Sequence, residues 1–118
     1  MVDAANVVGT RPDGWWNDRA GAARQLHEQL SLADLPHDEI VFVLEGDAKG
    51  GVAAGRDAHV RVVHARGNGD DVIVSQARTA CERGDQVTVI TADRALRARI
   101  EHVGARAMSP SWLLEHLT

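Results

Sequence analysis

The chain has 118 residues and a formal charge of −4, with seventeen carboxylates against thirteen basic side chains. That balance argues against a protein that coats nucleic acid through bulk positive charge, and no apolar run approaches the ~20 residues that a membrane span needs. One cysteine, Cys81, excludes an internal disulfide, so the expectation is a soluble, cytoplasmic protein with one domain over residues 1–118 and no membrane partner.

Val2 to Val8 (VDAANVV) reads as a short first strand and its exit, interrupted by Asp3 and Asn6 and followed by the turn-rich GTRPDG. Asn17 and Asp18 are cap residues for a helix from about Arg19 to Leu32, with Ala23, Leu26 and Leu30 on one face. The preceding Trp15-Trp16 pair divides evenly between a lid on the core and a stacking platform for unpaired bases. Glu39 to Leu44 (EIVFVL) is continuously apolar after its first residue, as in a strand covered on both faces. The AKGGVAAGRD that comes next has three glycines but no Gly-Lys-Ser/Thr and no G-x-G-x-x-G. It reads as a loop that does not cradle phosphate.

His59 to Ala65 (HVRVVHA) is a third strand, and Arg61 within it points to a position near the sheet edge. His59 and His64 are five apart, so on a strand they face opposite ways and cannot share a metal. Asp70 and Asp71 open a helix to about Arg83 with Ile73, Ala77, Ala80 and Cys81 inward. Cys81 is then a small buried hydrophobe, not a nucleophile. Gln86 to Thr91 forms a β-branched fourth strand, and Asp93 sits where it hands over to a helix carrying Leu96, Ile100 and Val103. Asp93 is either the N-cap of that helix or a carboxylate for chemistry beyond a strand end, and the sequence leaves both open. Gly104 to Met108 is a weak fifth strand. The chain then closes with a helix that has Ser109 as cap, Pro110 at its first position and Trp112 packing against the core.

Strand and helix alternate throughout, the pattern of an open parallel sheet with helices on both faces. If the chain winds out through strands two and three and then crosses back, strand four lies beside strand one. Asp3 and Asp93 then flank the switch point, with Asp70 and Asp71 near the same crevice. Carboxylates gathered without basic partners repel one another and raise one another's pKa, a cost usually met by a bound cation.

These residues carry a resemblance. VDAANVV resembles the Asp-x-x-Asn motif of NYN domains, Gly69-Asp70-Asp71 is similar to their Asp-bearing third motif, and Thr91-Ala92-Asp93-Arg94 to their strand-four Thr-Ser-Asp. The group it resembles most is the YacP-like branch of the PIN-like ribonuclease superfamily. The resemblance implies a sheet of about five strands in the order 3-2-1-4-5. It also implies a metal-dependent endoribonuclease, with Mg²⁺ or Mn²⁺ held by Asp3, Asp70, Asp71 and Asp93. Among these, Asp3, Asp71 and Asp93 are the expected catalytic set. Asn6, Arg19 and Arg94 are expected to meet substrate, and Glu45 supports the site where relatives often carry Asp-Gly. Ala92 stands where Ser is usual. The implied partner is RNA, single-stranded rather than duplex, and a homodimer is left open. A rival expectation is an inactive module of the same fold that binds RNA or a protein. A phosphatase of the haloacid dehalogenase type fits poorly, because Ala5 stands where its second aspartate belongs.

Overall fold

The computed structural model describes residues 1–4, 7, 18–33, 39–57, 59–67 and 69–117. Its elements run β1 (Val2–Asp3), α1 (Arg19–Leu32), β2 (Ile40–Leu44), β3 (Gly55–Asp57), β4 (Val60–His64), α2 (Gly69–Glu82), β5 (Thr88–Ile90), α3 (Arg94–His102), β6 (Arg106–Met108) and α4 (Pro110–Leu117). A 3₁₀ turn, Gly46–Gly50, follows β2. One sheet contains all six strands in the order β3-β4-β2-β1-β5-β6.

Five of these strands are parallel and stand in the expected order, since β4, β2, β1, β5 and β6 are the third, second, first, fourth and fifth strands read from the sequence. The sixth is an addition. β3 comes from the glycine-bearing stretch read as loop, and it pairs antiparallel with β4, covering the edge that Arg61 had pointed to. Nothing in Gly55-Arg56-Asp57 alternates apolar with polar, so pairing alone makes it a strand. Arg56 and Arg61 both reach Glu39, at 3.0 and 3.1 Å, and tie this edge to the start of β2.

β2 is buried at all five positions and its side chains alternate between two cores. Ile40, Phe42 and Leu44 face α1 and α4, with Leu26, Leu30 and Leu113 packed against them. Val41 and Val43 face α2 and α3 and meet Ile73, Ala77, Leu96 and Ile100. The predicted inward residues of α1, α2 and α3 face the sheet and are buried, except Cys81 and Val103, which are only partly buried. Helix α1 has the predicted bounds and buries the predicted Ala23, Leu26 and Leu30, and the Asp18 carboxylate caps it through the Gly21 amide at 2.8 Å. Two glycines in left-handed backbone end the helices of the second layer. Gly84, at φ +90°, follows α2, and Gly104, at φ +97°, follows α3.

The first strand is shorter than VDAANVV implies. It ends at Asp3, and Ala4 and Val7 are already helical and buried. Those two residues suffice because β1 is central, with Val2 opposite Phe42 on one side and Ile90 on the other.

Candidate active site at the carboxyl ends of the strands

The parallel order puts the ends of β1 and β5 side by side at the switch point, where crossovers leave in opposite directions and a crevice opens. Since Val2 is in register with Ile90, the next residues, Asp3 and Thr91, are neighbours on the same face. Both are buried, at 4% and 2% exposure. The Thr91 hydroxyl donates to Asp3 Oδ2 at 3.3 Å and accepts from the Asp93 amide at 3.1 Å. One hydroxyl thus joins the carboxylate of β1 to the turn that carries Asp93.

Asp93 is the N-cap of α3. Its Oδ1 accepts from the Ala95 and Leu96 amides at 2.9 and 3.1 Å. The cap reading is therefore realised, and it does not remove Asp93 from the crevice, because the Asp93 charge also acts on Asp70. Desolvation by burial holds the Asp70 carboxyl above the ordinary carboxylate range, and the charges of Asp93 and then Glu45 push it further the same way. Arg99 opposes the shift more weakly.

Glu45 leaves β2 and accepts a hydrogen bond from the Gly69 amide at the start of α2. A Cβ at residue 69 would stand 3.0 Å from Glu45 Oε2, so a side chain there would push the carboxylate off by a few tenths of an ångström. This contact fixes the first turn of α2 against the end of β2 and so places Asp70. Asp71 goes elsewhere. It is exposed and pairs with Arg99 at 2.9 Å. Neighbouring helical residues point about 100° apart, so with Ile73 and Ala77 inward only one of the two aspartates turns to the crevice. Asp70 thus feels the charges of Asp93 and Glu45, Asp3 is joined to the Asp93 turn through Thr91, and Asp71 turns away to Arg99.

Arg94 opens α3 and is exposed; Arg19 opens α1, also exposed. The Arg19 end of the helix is held at this edge of the sheet by the close approach of Gly51 to the Ala20 carbonyl. Asn6, Trp15 and Trp16 lie outside the described residues. His59 and His64 bond separate backbone carbonyls, Leu30 at 3.1 Å and Val52 at 2.7 Å, as structural histidines do. Trp112 is half-buried against the core beside His116.

Carboxylates are hard oxygen donors of the kind that Mg²⁺ and Mn²⁺ take, and their surplus of negative charge at one strand edge fits a divalent ion. Among the described residues, no three such side chains stand close enough together to hold a metal as they lie. A cavity of about 780 Å³ is at the opposite end of the sheet, lined by Glu39, Arg61, Arg83, Asp85 and Arg106 among others. Its size is no guide to the chemistry. Glu39 is held low there by hydrogen bonding to Arg61, and Arg83 pairs with Asp85, so its charges largely answer one another.

The YacP-like NYN domain model matches residues 1–118. The chain belongs to the YacP-like NYN domain family. This family sits within the PIN-like ribonuclease superfamily, whose nucleases are generally dependent on divalent metal and act on RNA. Among solved structures, the chain is similar to the crystal structure of a point mutant of Rae1 (YacP) from Bacillus subtilis. The two share 20% identity at a TM-score of 0.74, over 98% of this chain and 72% of that one. At that identity the likeness speaks for the fold. Among curated proteins, no sequence relative emerges.

Sequence reasoning had the aspartates and Glu45 but missed the Thr91 hydroxyl as the link between Asp3 and Asp93. The only signal was the Thr-x-Asp spacing itself, and a hydroxyl two residues before a cap is common enough to pass unnoticed.

Proposed function

We propose that this NYN domain is an endoribonuclease that cuts single-stranded RNA, with Asp3, Asp70 and Asp93 as ligands for Mg²⁺ or Mn²⁺. The observation that carries the reading is the gathering of carboxylates at the strand ends: Thr91 joins buried Asp3 to the Asp93 turn, Glu45 holds the start of α2, and the Asp70 carboxyl there is raised by burial and then by the charges of Asp93 and Glu45. A bound divalent ion would supply an activated water and stabilise charge developing on the phosphate oxygens. The protein's own part is placement. Thr91 orients Asp3 and the Asp93 turn, and Glu45 seats the start of α2 and with it Asp70. Asp93 spends Oδ1 on the helix amides, which fixes the direction of its other oxygen. Asp71 contributes negative field and an ion pair with Arg99 that ties α2 to α3.

The test is cleavage of a labelled single-stranded RNA in Mn²⁺, with and without excess chelator. Cleavage should require the metal and fall at least a hundredfold in Asp93→Asn and Asp70→Asn, on the order of what a lost charge-stabilising group costs. Equal cleavage by either variant, or in chelator, removes the proposal. The second reading, an inactive module, is favoured by the spacing of the carboxylates, no three of which close on a common point among the described residues. Calorimetry separates the two: a folded protein that takes up no Mn²⁺ is the module.

A further inference from the structure

The arginines of this chain divide sharply. Arg56, Arg61, Arg83, Arg97 and Arg99 each pair with a carboxylate within 4.0 Å. Arg66 and Arg94 are exposed and have no partner among the described residues. Arg24, Arg78 and Arg106 are in the same condition, but they lie in the bodies of α1 and α2 and at the start of β6, away from the crevice. Among the described arginines, only Arg66 and Arg94 combine an unpaired charge with a place at the carboxyl edge of the sheet.

Their positions there are fixed by backbone. Arg66 follows Ala65, whose amide donates to the Leu44 carbonyl at 2.8 Å and whose carbonyl accepts from Lys49 Nζ at 3.1 Å. The exit of β4 is thereby pinned beside the exit of β2, with the Lys49 charge beneath it. Arg94 is the first residue of α3, next to Asp93 at the exit of β5. In the order β4-β2-β1-β5 the carboxylates Glu45, Asp3 and Asp93 lie between the two arginines. A polyanion approaching an acidic crevice on an acidic protein needs cations to either side of it.

We propose that Arg66 and Arg94 mark the two ends of a track for single-stranded RNA, crossing the carboxylate crevice at right angles to the strands. The proposal rests on the ribonuclease reading of the crevice and adds to it a direction and a length. Three strand spacings of ~4.8 Å separate the two exits, roughly 14 Å in all. At a stacked rise of ~3.4 Å per nucleotide this is about four steps, so the arginines hold phosphates on opposite sides of the cleaved bond. A trinucleotide stacked at that rise, about 7 Å from first to last nucleotide, spans only half the distance.

The experiment is fluorescence anisotropy in Mn²⁺ with labelled oligouridylates of about three and about nine nucleotides. Phosphorothioate linkages, which resist hydrolysis, keep the probes intact, and salt is the variable. For the longer probe, Arg66→Ala and Arg94→Ala should each reduce the slope of log affinity against log salt by about 0.7, and the double variant by about 1.4. For the shorter probe the double variant should lose only about 0.7. The rise in melting temperature with Mn²⁺ should match wild type in all three, showing fold and crevice intact. An unchanged slope for the longer probe in Arg66→Ala, absence of binding by wild type, or the full double loss with the shorter probe overturns the track. The two readings fail separately. Metal-dependent cleavage with an unchanged Arg66→Ala slope removes the track alone, whereas the expected slopes without cleavage remove the nuclease alone.

Discussion

Asp93 does two things whose substitutions pull apart. As N-cap it satisfies the Ala95 and Leu96 amides, and as a charge it raises Asp70. Asn keeps the cap and removes the charge, so Asp93→Asn should leave the metal-free protein as stable as wild type or more so, by up to about 1 kcal/mol after solvent screening. Ala removes the cap too and should cost about 1 kcal/mol. Urea titrations of both variants without metal read the difference directly; a loss of equal size in both would mean that relieved repulsion contributes nothing. For Asp70 the sign follows from linkage. Its pKa in the folded state is raised, so the native protein binds that proton more tightly than the unfolded chain. Asp70's own contribution to stability without metal is then greatest below the unfolded carboxylate pKa and declines as pH rises through the raised folded value. Asp70→Asn should flatten that decline, which melts across the same pH range would show.

At the scale of elements, the site depends on how closely α1 approaches the turn after β2. A Cβ on Gly51 would stand 2.1 Å from the Ala20 carbonyl oxygen, so the helix reaches the turn only because residue 51 is glycine. Gly51→Ala should cost 1–3 kcal/mol, about the usual penalty for overpacking. It should also displace the Arg19 end of α1 from the crevice edge. Denaturation midpoints measure the first effect, and a midpoint within error of wild type would show that the helix can retreat freely. The two-residue β1 shows a different dependence. Its place between β2 and β5 comes from its neighbours' registers, since Val2 alone pairs with both Phe42 and Ile90.

For the molecule as a whole, a divalent ion that binds only the folded state stabilises by mass action. At a hundredfold excess over its dissociation constant, Mn²⁺ should add about 2.7 kcal/mol and raise the melting temperature of a chain of this size by roughly 10 °C, reversed by chelator. No shift at saturating metal would leave the crevice without an occupant. How much of this was legible beforehand varies by feature. Periodicity and caps determined the helices, because Ala23, Leu26 and Leu30 or Leu96 and Ile100 recur at a spacing that only a helix turns to one side, and Asp18, Asp93 and Ser109 satisfy amides that lie close in sequence. The five parallel strands and four of the crevice residues were legible too, the order through resemblance. Tertiary structure alone decided the rest. β3 exists only through its ladder with β4, and the choice of Asp70 over Asp71 follows from which face of α2 the core claims. The Thr91 link needs two strands whose residues lie 88 apart in the chain to fall in register. Local pattern fixes what a neighbouring residue can satisfy; which distant group arrives beside it depends on packing, and packing is a property of the whole sheet.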